Sequence, residues 1–253
     1  MPRISSPDTT DTADPVGAVA GWTSRPWAGG DVFGQPVPLK VRRLLVDANV
    51  TARVVPPRGQ EAFGYVIAGS GTAVASPPAE RFALGTESVL WLGACEELSV
   101  EAGLDGVDMM LAETTGPPEP APRKVFAGAE LPHLVSTRDT RDRLDLVTEN
   151  VPVGARAIRA DRIIYHPGDT AAAHYHTDCH HVFCVLAGSG LLHDGEHANR
   201  LDAGDSALVG PGEVHWFEND TGANFSFVEF WAPPPTETIW TVTGDRCTWA
   251  PAS

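Results

Sequence analysis

From Val41 onward the apolar positions come in short runs: VRRLLV at 41–46, YVIAGSG at 65–71, SVLWLG at 88–93 and VDMMLA at 107–112. Gly, Pro and polar clusters separate them, and none carries a helical period. Short runs punctuated in this way predict an all-β sandwich or barrel. Upstream the pattern is different. Residues 1 to about 20 are rich in Ser, Thr, Asp and Pro, a composition that predicts disorder. Gly21 to Pro38 places Trp22, Trp27 and Phe33 among glycines and prolines, which reads as an irregular arm laid over an apolar surface.

The pattern then repeats. AGSG occurs at Ala68–Gly71 and again at Ala187–Gly190, an offset of 187 − 68 = 119. The same offset pairs Gly85 with Gly204, Gly93 with Gly212, and RRLLV at Arg42–Val46 with DRIIY at Asp161–Tyr165. A repeat of this length marks two copies of one β unit, joined through the Pro-rich segment Gly116–Lys124. The expected division is a disordered N-terminus and arm at 1–38, a first unit at 39–118, a linker at 119–134 and a second unit at 135–253.

Composition narrows the function by exclusion. The 253 residues carry a net charge of −15, which argues against nucleic acid and anionic membranes as partners, since both reward basic patches. No run of about twenty apolar residues is present. The N-terminus lacks the apolar core of a signal peptide, so a cytoplasmic location is expected. Cys95, Cys179, Cys184 and Cys247 form no CxxC pair, which suits free thiols in a reducing compartment. A small-molecule substrate remains, with a homodimer as the expected protein partner.

The candidate chemistry lies in GDTAAAHYHTDCHHVFCVLAG, Gly168 to Gly188. His174 and His176 share one face of an extended strand. A second strand brings His180 and His181, of opposite parity, and GPGEVHWFEN brings His215. Neutral imidazoles from three segments are what a first-row metal site needs. His193 and His197 lie in a polar hairpin, and His133 and His166 read as structural.

These residues resemble the cupin family. Gly168, His174, His176 and Gly188 fit its first motif, with His181 at the usual Glu position; Gly204, Gly212, His215 and Asn219 fit the second, which departs at Gly210. Together with the repeat, the resemblance implies a bicupin: two tandem jelly-roll β-barrels. Only the second would hold metal, because Val55, Pro57, Ala62 and Glu96 stand opposite the four ligands, and no histidine precedes His133. The implied ligand set is His174, His176, His181 and His215, with His180 as the alternative to His181. It implies one divalent transition metal per chain, Fe2+ favoured over Mn2+, Ni2+ or Zn2+. The implied activity is that of a mononuclear Fe(II) dioxygenase acting on a diketone, catechol-like or hydroxy-ketone substrate. The alternatives are a non-oxidative metal-dependent isomerase, hydrolase or decarboxylase, and a non-catalytic ligand-binding cupin. Phe183 and Phe227 are candidate substrate-lining residues, and Glu229, an acid on an apolar strand, is the candidate base.

Overall fold

The computed structural model describes residues 1–6, 21–54, 62–76, 79–93, 97–114, 124–148, 151, 157–242 and 246–252. The predicted all-β class holds. The first part of the chain contributes β1 (Arg3–Ser5), β2 (Trp22–Gly29), β3 (Leu39–Val46), β4 (Thr51–Val54), β5 (Ala62–Ser76), β6 (Glu80–Leu84), β7 (Val89–Gly93), β8 (Glu97–Thr114) and β9 (Lys124–Phe126). The second part contributes β10 (His133–Ser136), β11 (Asp142–Val147), β12 (Arg159–Tyr165), β13 (His174–Tyr175), β14 (His180–Ala187) and β15 (Ser189–His193). It continues with β16 (Ala198–Asp202), β17 (Ser206–Val209), β18 (Trp216–Glu218), β19 (Phe225–Ala232), β20 (Ile239–Trp240) and β21 (Trp249–Pro251).

Two antiparallel assemblies result. One runs β2-β3-β8-β5-β7-β9, with β4 on β8 and β6 on β5; the other runs β1-β17-β14-β19-β12-β11-β10-β21 and faces the small sheets β16-β15-β18 and β13-β20. The offset of 119 recurs in the elements: β3 maps onto β12, β5 onto β14 and β15, and β8 onto β18 and β19. Gly69 and Gly188, one offset apart, both have positive φ, at 87° and 74°. A Cβ on either would sit 2.2 Å from Gly106 O or 2.0 Å from Asn224 O. Only glycine lets the strand bend that closely past its neighbour.

The two assemblies share a core. Residues of even number on the large second sheet, among them Val182, Cys184, Val228 and Phe230, pack into one apolar cluster with Phe63, Tyr65, Trp91 and Met110 of the first. Trp27 Nε1–H donates to Gly204 O at 2.8 Å across the same junction. The odd-numbered face of the second sheet is left to form the interior of its own barrel.

The N-terminal expectations need correction. Residues 3–5 are a strand, pairing antiparallel with β17. Trp22–Gly29 is likewise no irregular arm but β2, and Trp22 and Trp27 are buried. Pro26 is accommodated because it sits on an edge strand beside a register shift between Pro26 and Ala28. Within the expected linker, β9 pairs with β7 and β10 with β11; the Pro-rich residues 115–123 lie outside the described residues. So do residues 7–20, Cys95, and Val55, Pro57 and Glu96 opposite the histidines.

Candidate metal centre

Strand register builds the site row by row. On the inner face, His181 of β14, Trp231 of β19 and Arg159 of β12 are directly opposite one another. The next row is Phe183, Glu229 and Asp161, and the one below it Val185, Phe227 and Ile163. A two-residue strand period thus carries the chain from a polar rim to an apolar floor.

His174, His176 and His215 come together, with one ring nitrogen from each within 4.8 Å of the others. β13 supplies His174, with His176 just past its end, and a bridge to His215 is closed by backbone bonds His174 N–H to His215 O (3.1 Å) and His215 N–H to His174 O (2.9 Å). The tautomers are set by the backbone. Nδ1 of His174 lies 2.9 Å from Ala172 O, Nδ1 of His176 lies 3.2 Å from Glu237 O, and Nδ1 of His215 lies 3.0 Å from Glu213 O. A carbonyl only accepts, so each Nδ1 must carry the proton and each Nε2 keeps its lone pair. Holding a ligand histidine by its other nitrogen is how proteins orient metal-binding imidazoles. Burial keeps the rings neutral: His174 is pushed down to about 4, and His176, His181 and His215 are also shifted down. Desolvation is the main cause, with mutual repulsion among the rings adding to it. The donor set therefore fits a first-row divalent cation.

His181 is placed differently. Its Nδ1 lies 3.0 Å from His215 Nε2 and its Nε2 lies 3.1 Å from Glu229 Oε2. Since His215 Nε2 is a lone pair, His181 Nδ1–H donates to it, and His181 Nε2 must then accept from the Glu229 carboxyl. That requires Glu229 to be protonated, and burial indeed raises its pKa. Burial thus biases the His181–Glu229 contact toward a neutral hydrogen bond, at a separation that also suits an ion pair. Beside them, burial raises Asp161 well above the carboxylate range against the pull of Arg143, 3.1 Å away. His180 has the opposite parity and pairs with Ala232.

The histidines open into a cavity of about 210 Å³, whose walls include Arg141, Arg143, Arg159, Glu229, Trp231 and Trp240. Trp231 stacks on His181 at 4.5 Å and donates Nε1–H to His176 Nε2 at 3.3 Å, a bond that a cation on that nitrogen would replace. The segment after β19 folds back over the site. Thr236 bonds to Asp178 (Oγ1–H to Oδ2, 2.7 Å), Glu237 O holds His176, and β20 pairs with β13 so that Trp240 lies 5.1 Å from the His174 ring.

Phe183 and Phe227 do not line this cavity. They are packed in the barrel core with Phe217 and Tyr165, because Phe227 lies in the apolar row and Phe183 turns into the cluster beneath His181. Phe217, Trp231 and Trp240 form the aromatic wall instead. Glu229 does face the cavity. Cys179 is a buried free thiol pushed up to about 12 by desolvation, a state unsuited to binding metal as thiolate. The residues sequence reasoning missed are the arginines. Arg159 and Asp161 do alternate with Ile163 and Tyr165 along β12, so polar residues on an inward parity were the available signal.

The family model Cupin_2, described as Cupin domain, matches residues 161–231. No curated protein matches. Among solved structures the chain is similar to a tryptophan-to-tyrosine variant of Bacillus subtilis oxalate decarboxylase, with TM-score 0.72, 13% identity, 90% of this chain and 78% of that one covered. A segment-replacement mutant of the same enzyme gives TM-score 0.73 at 13% identity, with 94% and 79% covered. A third structure, concerned with the Mn(II) centres of that enzyme, gives 0.70 at 13% identity, with 87% and 75% covered. These likenesses establish the fold.

Proposed function

We propose that the chain is a tandem cupin whose second unit is a metal-dependent enzyme of non-oxidative chemistry, a decarboxylase or related lyase acting on a small chelating acid. The observation that carries this is the buried cluster of imidazoles at the head of a small cavity, with the buried carboxyl of Glu229, whose pKa burial raises, beside it. The resemblance of the fold to oxalate decarboxylases favours this reading over the Fe(II) dioxygenase, and the Mn(II) centres named for one of those structures make Mn2+ the first metal to test.

His174, His176 and His215 would hold the metal through Nε2, with His181 beside them in hydrogen-bond contact with Glu229. A divalent cation among neutral ligands keeps its full double charge and supplies Lewis-acid stabilisation of the negative charge that develops when a carboxyl group leaves. The remaining work belongs to the chain. Glu229 holds the proton needed to quench the carbanion, and Asp161 sits where it can share it. Trp231, Trp240 and Phe217 narrow the cavity and limit water around the reacting atoms. The first unit contributes the wall behind β14 and β19.

The test is anaerobic turnover. Mn2+-loaded protein is incubated without oxygen with oxalate, oxaloacetate and 2-hydroxy acids, and released CO2 is measured. Release that continues without oxygen supports the reading; turnover only with stoichiometric oxygen uptake would replace it with the dioxygenase.

A further inference from the structure

Three guanidiniums reach the cavity, and two are already engaged. Arg141 donates Nε–H to Asp139 at 2.8 Å, and its terminal nitrogens lie 3.1 Å from Tyr165 Oη and 3.1 Å from Cys247 Sγ. Arg143 is paired with Asp145 at 2.6 Å and Asp161 at 3.1 Å. Arg159 differs. Among the described residues it makes no hydrogen bond or ion pair, and its Nε is buried without a partner. The two acids of the cavity feel its charge but make their close contacts elsewhere, Asp161 with Arg143 and Glu229 with His181.

Arg159 is nevertheless held in place. Its guanidinium lies 5.0 Å from the centre of the Trp231 ring, and Trp231 itself stacks on His181 and bonds His176. The cation is therefore fixed one aromatic ring away from the histidine cluster. A half-buried guanidinium with no acid in hydrogen-bond contact, facing a cavity, suits an anion of matching planar shape.

We infer that Arg159 receives a second carboxylate of the substrate, distinct from the group that chelates the metal, so that the substrate class is a small dicarboxylic 2-hydroxy or 2-oxo acid. This rests on the metal-dependent reading above. The planar fork forms two parallel N–H···O bonds to one carboxylate, fixing the orientation of the chelating end relative to Glu229. A substrate lacking that group would bind through its chelating end alone. Arg159 is on this account a specificity residue rather than one acting on the reacting bond.

The experiment measures affinity by calorimetry on full-length Mn2+-loaded protein, using lactate, malate and the 4-amide of malate. The three share a 2-hydroxy acid head and differ only at the far end. Wild type should bind malate about tenfold or more tightly than lactate or the amide. Arg159→Gln should abolish most of that preference while affecting lactate far less, and Arg159→Lys should retain part of it because the charge remains but the fork does not. Equal binding of all three by wild type, or an equal loss of lactate and malate affinity in both variants, would overturn the inference and leave the metal-dependent reading standing. Absence of any Mn2+-dependent binding of the three in wild type would overturn that reading, and the inference with it.

Discussion

The two barrels use one ladder for opposite ends. In the second, the rows across β14, β19 and β12 read His181–Trp231–Arg159, Phe183–Glu229–Asp161 and Val185–Phe227–Ile163. In the first, the corresponding rows across β5, β8 and β3 read Ala62–Glu113–Lys40, Gly64–Leu111–Arg42 and Val66–Met109–Leu44. The third row is apolar in both. The first two decide whether the barrel encloses a core or a site. Leu111 stands at the place of Glu229 and packs with Leu90, Leu92, Leu98 and Met109 in a solid interior. Met109 closes over Gly64, so that even a Cβ there would lie 2.4 Å from its terminal methyl. Function in this fold is thus a matter of a few inward positions on a backbone that both units share.

The largest effect is expected from making the first barrel imitate the second. Leu111→Glu places an acid in an interior with no imidazole to receive it, and should cost roughly 4 kcal/mol or more, read by urea unfolding. A loss under 1 kcal/mol would mean that the first interior is more accommodating than its packing shows. The reverse change is Glu229→Gln, which preserves shape but removes the transferable proton. It should reduce turnover by about 10²- to 10⁴-fold while leaving metal content unchanged. Unaltered turnover would remove Glu229 from the mechanism.

Acid should separate the barrels next, since the only histidines lie in the second part of the chain. His174 is held at about 4 by burial, against an unfolded value of about 6.5. The unfolded chain therefore takes up the proton first. The stability associated with the neutral ring is present in full above about pH 6.5 and declines as the pH falls toward 4. For His174 alone this reaches roughly 3 kcal/mol, with His176, His181 and His215 acting in the same direction. Unfolding of metal-free protein at pH 7.5 and 5 should show this loss, and a His174→Gln variant should show less of it. An identical pH slope in the two proteins would contradict the neutral cluster. The smallest effect belongs to Phe183→Leu, which should lower stability by about 1 kcal/mol and leave KM unaltered, as expected of a core residue. A changed KM would restore Phe183 to the substrate wall.

These contrasts also show what the sequence discloses. His174, His176 and His215 are legible because two local spacings and a turn fix them, and the absence of histidine before His133 is as plain in the sequence. The β class and the offset of 119 are legible for the same reason, being local or repeated. Parity is not. Nothing local states whether Glu229 or Phe230 points inward; that is decided when β19 takes its register between β14 and β12. Arg159 and Trp231 become one unit only through that register, and Trp240 reaches His174 only because the chain after β19 folds back. The N-terminal strands were obscured by Pro and Gly, residues that a paired edge strand tolerates.

The central claim is one metal site, in the second barrel, built on histidines. Elemental analysis of protein purified without added metal or chelator, alongside His174→Ala and His215→Ala, tests it most directly. The account predicts about one divalent metal per wild-type chain and close to none in either variant, with folded structure retained. Two metals per wild-type chain, or full occupancy surviving both substitutions, would contradict it.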